Sequence, residues 1–64
     1  MRKMDNFYLI VQKKRFELFQ LFFQSESVND ATEVAVYLIE FLGVHSVELY
    51  VNGFLMFDYL RTKK

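Results

Sequence analysis

One histidine, His45, and eight carboxylates are the side chains of this 64-residue chain able to move a proton near neutral pH. Nucleophilic catalysis needs such a base beside a serine, threonine, cysteine or lysine. His45 instead follows Gly43 and Val44 in an expected connection. With no cysteine and no second histidine, no metal-ligand spacing exists around it. It reads as a surface loop residue. Glu33 and Glu40 share one side of an expected helix, but acid and base work needs carboxylates converging in a pocket, and this spacing equally describes a solvated face. The two glycines, Gly43 and Gly53, are used up by a helix end and a turn, which leaves none for a phosphate loop. The expectation is therefore a protein that is not an enzyme, with no catalytic or metal-binding residues and no cofactor.

The order of the charges says more than their zero sum. All eight basic residues fall in three clusters: Arg2 and Lys3; Lys13, Lys14 and Arg15; and Arg61, Lys63 and Lys64. Between Phe16 and Leu60 there is no Lys or Arg, while that span holds Glu17, Glu26, Asp30, Glu33, Glu40, Glu48 and Asp58. The basic clusters suit contacts to phosphates, which makes nucleic-acid binding the alternative function. A sheet displaying aromatics can also stack unpaired bases. Against this, the expected aromatic ribbon has no interleaved cation and carries Glu48 and Asp58, which repel a phosphate backbone. The acidic body can instead imitate a phosphate track, and in size and charge pattern the chain resembles small inhibitors encoded by phages and plasmids against host proteins. The plainer role of these acids is to keep a greasy small protein dissolved.

Length and composition set the main problem. A chain of this size hides only about 60% of the surface its unfolded form exposes. Small chains usually add disulfides, a metal or a second copy, and without cysteine the first is excluded. Apolar residues make up 53% and aromatics 19%, so surplus apolar surface points to an interface. Uninterrupted apolar runs such as Phe7 to Val11 are far below a membrane span of about 20 residues and short of a signal-peptide core of about 7–15. One cytoplasmic domain over residues 1–64, without a membrane anchor, is expected.

The elements follow from periodicity. Ala31, Val34, Ala35, Leu38, Phe41 and Leu42 recur at helical spacing, with Asn29 or Asp30 as cap, Asp30 and Glu33 as a capping box, and Gly43 at the end. Asn52-Gly53 predicts a two-residue hairpin turn. Carried on without interruption, its register sets Val51 against Phe54, Leu49 against Met56 and Val47 against Asp58. Tyr50, Leu55, Phe57 and Tyr59 then share the opposite face with Glu48. Residues 6–24 read as two strands about a turn at Lys13–Arg15 or as one long bent strand. A helix competes, because Lys13, Glu17, Gln20 and Gln24 form a polar stripe.

The fold expected is α+β, one helix on a small antiparallel sheet, in the order ββαββ or βαββ. One helix covers one face of such a sheet. The other, with Tyr50, Leu55, Phe57 and Tyr59, is the expected protein interface. Its simplest cover is a second copy, giving a homodimeric adaptor or inhibitor that can engage a host protein.

Overall fold

The computed structural model describes residues 3–14 and 16–61. Strands β1 (Asp5–Lys14) and β2 (Glu17–Ser25) precede helix α1 (Val28–Phe41), and β3 (Ser46–Val51) and β4 (Phe54–Leu60) follow it. The order ββαββ is the α+β arrangement expected, and residues 6–24 form two strands rather than a helix. Lys13 and Lys14 close β1 instead of turning, so the connection is shorter than Lys13–Arg15; Arg15 itself lies outside the described residues.

The strands form one sheet in the order β2-β1-β3-β4. Each neighbouring pair is antiparallel, so β2 and β3 are parallel to one another on either side of β1, and α1 is the crossover between them. Alternation sorts the side chains. Phe7, Leu9 and Val11 of β1 pair with Phe23, Leu21 and Phe19 of β2 and with Val51, Leu49 and Val47 of β3. This is the face that α1 covers. Its core is Phe7, Leu9, Val11, Val47 and Leu49 from the sheet, Ala31, Ala35 and Leu38 from the helix, and Val44 from the connection. Phe7 also stacks on Phe23 with ring centroids 5.4 Å apart.

Two alanines on the buried stripe let α1 lie close to the sheet, and the helix is then too narrow to cover its whole hydrophobic periphery. Only three helix residues are buried. Val34, Phe41 and Leu42, expected in the same stripe, remain exposed. The helix also begins earlier than its acidic residues suggest. Ser27 is the cap, its Oγ accepting from the Asp30 N–H at 3.3 Å. Ser25 holds Ser27 in place: Ser25 Oγ donates to the Ser27 carbonyl at 3.2 Å and accepts from the Ser27 N–H at 3.1 Å. At the other end Gly43 takes φ +63°, the left-handed conformation expected there.

The β3–β4 turn is of the expected kind, with Asn52 at φ 49° and Gly53 at φ 91°. Beyond it the register departs from uniform alternation. Val51 faces Phe54 and Tyr50 faces Leu55, but Leu49 faces Phe57, Glu48 faces Asp58 and Val47 faces Tyr59. Met56 is the extra residue of a β-bulge, and every later residue of β4 changes face.

Candidate functional site

The bulge divides the four residues expected at an interface. Tyr50 and Leu55 stand on the sheet face away from α1. Phe57 and Tyr59 do not: opposite Leu49 and Val47, they lie on the helix side, where Phe57 packs against the core. The physical reason is the inserted Met56, which packs against the same core and returns the next residue to the side a regular ladder would have denied it.

The outer face is completed by residues whose parity the hairpin turn alone does not set. One row crosses all four strands: Phe22 of β2, Tyr8 of β1, Tyr50 of β3 and Leu55 of β4. Tyr8 stacks on Phe22 at 4.5 Å and meets the Tyr50 ring at 5.9 Å. Phe22 is 76% exposed and Leu55 53%. On one side of this row lies Gln20–Ile10–Glu48–Asp58, followed by Leu18–Gln12–Ser46–Leu60. On the other side lies an amide row. Gln24 Nε2 donates to Asn6 Oδ1 at 2.8 Å, and the Asn6 N–H donates to Asn52 Oδ1 at 3.0 Å. Asn52 Nδ2 donates in turn to Asp5 Oδ1 at 3.1 Å. A shallow recess of about 450 Å³ opens here, lined by Asn6, Phe7, Tyr8, Phe22, Asn52 and Gly53.

The electrostatics of the face are one-sided. Glu48 and Asp58 stand directly opposite each other, an arrangement that repels. Tyr50 Oη relieves part of it by donating to Glu48 Oε1 at 3.1 Å. That hydrogen bond, then desolvation, then the Glu48 charge push the Tyr50 phenol above its ordinary 10.0. The rows running from Gln24–Asn6 to Leu18–Gln12–Ser46–Leu60 contain no Lys or Arg.

The remaining charges do not converge on this face. Asp30, Glu33 and Glu40 are exposed on the helix, across the sheet from Glu48 and Asp58, so the acids divide between two sides and make no single track. Lys13, Lys14 and Arg61 share the end of the sheet where β1 and β4 finish, and Lys3 stands at the opposite end; Arg2, Lys63 and Lys64 lie outside the described residues. A guanidinium nitrogen of Arg61 passes 3.9 Å from where a Cβ on Gly43 would sit. This places a cation by the negative end of the helix dipole, whose own last turn has none.

His45 is half-buried just before β3 and contributes backbone. Its N–H donates to the Gln12 carbonyl and its carbonyl accepts from the Arg61 N–H, each at 2.8 Å. Among the described residues no three His, Cys, Asp or Glu side chains are grouped to hold a metal ion. No helix among them is long and apolar enough to cross a membrane. No protein-family model, curated protein or solved structure matches this chain.

Proposed function

We propose that this chain is a non-catalytic protein-interaction module that works as a homodimer, an adaptor or inhibitor whose outer sheet face receives a protein partner. The observation that carries the reading is the row Phe22–Tyr8–Tyr50–Leu55, continuous across four strands and open to solvent at both ends. An apolar row of this length on one side, beside two carboxylates that oppose each other without a cation, complements a surface that pairs an apolar patch with a lysine or arginine. It complements its own copy less well, since packing two such faces together brings four carboxylates to one seam. Self-pairing is therefore better served by another surface than by the face itself.

The test is site-specific photocrosslinking in the native host. A crosslinker at Leu55 or Phe22 is expected to trap one partner, and the same group at Glu33, on the helix side, is not. Neutralising Glu48 and Asp58 together, as Glu48→Gln with Asp58→Asn, should weaken the complex and flatten its salt dependence. Crosslinks confined to the helix side, or no partner at either face, would overturn the reading. Nucleic-acid binding is the second reading, favoured by Lys13, Lys14 and Arg61 at one end of the sheet. It requires retention on single- or double-stranded probes that falls steeply with salt and disappears in Lys13→Ala/Lys14→Ala.

A further inference from the structure

A sheet of four strands has two edges, and this one treats them differently. At β4 the edge is seven residues long, interrupted by the Met56 bulge and marked by the exposed Asp58. Bulges and charges are devices that keep an edge from pairing. Between Leu18 and Ser25, β2 has neither. Its nine residues, ELFQLFFQS, contain no proline, lysine or arginine and one acid, at the first position. Its ladder to β1 is unbroken from Asp5–Ser25 to Gln12–Leu18.

The Asn52 N–H donates to the Asn6 carbonyl at 2.8 Å, so the even-numbered residues of β1 turn their backbone polar groups toward β3. By the alternation of antiparallel ladders, Phe7, Leu9 and Val11 turn theirs toward β2 and bond Phe23, Leu21 and Phe19. The backbone N–H and C=O groups of Leu18, Gln20, Phe22 and Gln24 therefore point away from the sheet, along an edge of about 30 Å at about 3.4 Å per residue.

We infer that β2 pairs antiparallel with β2 of a second copy, in full overlap, with Leu21 on the two-fold axis. The inference rests on the reading that the module associates with itself and names the surface that does so. Full overlap sets Phe19 against the copy's Phe23, Gln20 against Phe22, Leu18 against Gln24 and Glu17 against Ser25. The eight outward backbone groups of each strand find partners, and the acids are kept off each other. A second copy is the occupant because the strand is complementary to itself in this register and because a chain of this size gains most from oligomerising. The arrangement also closes. It consumes the bare edge of both copies and leaves the two bulged β4 edges at the ends of an eight-stranded sheet, so it stops at two. The two outer faces then become one continuous surface.

The test uses the residue on the axis. Leu21 is 38% exposed, so a charge there is compatible with the folded subunit. Full-length Leu21→Lys and Leu21→Glu should each dissociate by roughly a hundred-fold relative to the parent, because each places like charges face to face across the axis. An equimolar mixture of the two should restore a dimer, read by sedimentation velocity with circular dichroism as the check on folding. If either variant fails to fold, the chemically synthesised chain with an N-methyl group on the outward Phe22 amide replaces it and should be a folded monomer. A parent dimer that persists unchanged in these variants overturns the β2 edge while leaving self-association intact. A monomeric parent overturns both, and open-ended fibres overturn the closed pair.

Discussion

Leu55 and Phe57 are two residues apart on an edge strand, and a regular hairpin would put both on one face. The bulge at Met56 assigns them opposite fates, which Leu55→Lys and Phe57→Lys can separate. Phe57 faces the fully buried Leu49 and packs on the core. Truncating a buried Phe costs about 3–5 kcal/mol; Phe57 is only half-buried and a lysine stem recovers some contact, so about 2–3 kcal/mol is expected. A chain of 64 residues has about 3–10 kcal/mol in total, at about 0.05–0.15 kcal/mol per residue. The loss is therefore a large share of it, equivalent to a fall in Tm of about 10–20 °C. Leu55 is 53% exposed, beside Tyr50 and one row from Glu48 and Asp58. A lysine there should change stability by no more than about 0.5 kcal/mol. Thermal unfolding followed by circular dichroism at one protein concentration distinguishes them. Equal Tm values, or a lower one for Leu55→Lys, would refute the bulged register.

Other consequences are as direct. Ser27→Ala should cost about 1 kcal/mol in urea unfolding, whereas Asn29→Ala, outside the cap, should cost little. Gly53→Val places a β-branched residue at φ 91° and should destabilise by more than about 1 kcal/mol, although no atom stands in the way of its Cβ. The Tyr50 phenol is raised above 10.0 chiefly by its bond to Glu48. The folded state thus favours the protonated form, and the stability this contributes is present below about pH 10 and lost as pH rises through the folded value. An NMR titration of the labelled ring should show Glu48→Gln moving that midpoint down, and an unchanged midpoint would refute the cause.

How much of this was legible in the residues differs by element. Asn52-Gly53 and Gly43 need positive φ, which few residues tolerate, and both landed where expected. The bulge left no such mark, because its extra residue can take ordinary backbone angles, and Met56 resembles any strand residue. From that point the inward and outward sets of β4 exchange, so regular alternation misplaces Phe57 and Tyr59 while it places Tyr50 and Leu55, before the bulge, on the observed face. Tyr8 and Phe22 carry no mark for a different reason: the β1–β2 connection holds no glycine, asparagine or proline to pin a register, so the residues alone do not say which side of β1 and β2 faces outward. Residue type does not single out Ser27 as the cap, because Asn29 and Asp30 are equally good candidates. The Ser25 hydroxyl, bonded to the Ser27 backbone C=O and N–H, decides among them, and that contact exists only once β2 has delivered Ser25 to that place.

Amide hydrogen exchange across β2 tests the central claim most directly. In a lone subunit the amides of Phe19, Leu21 and Phe23 are protected by β1, while those of Gln20 and Phe22 face water. Pairing with a second copy predicts that Gln20 and Phe22 gain protection as concentration rises, until the whole strand exchanges at one slow rate. Alternating fast and slow amides at every concentration would contradict it.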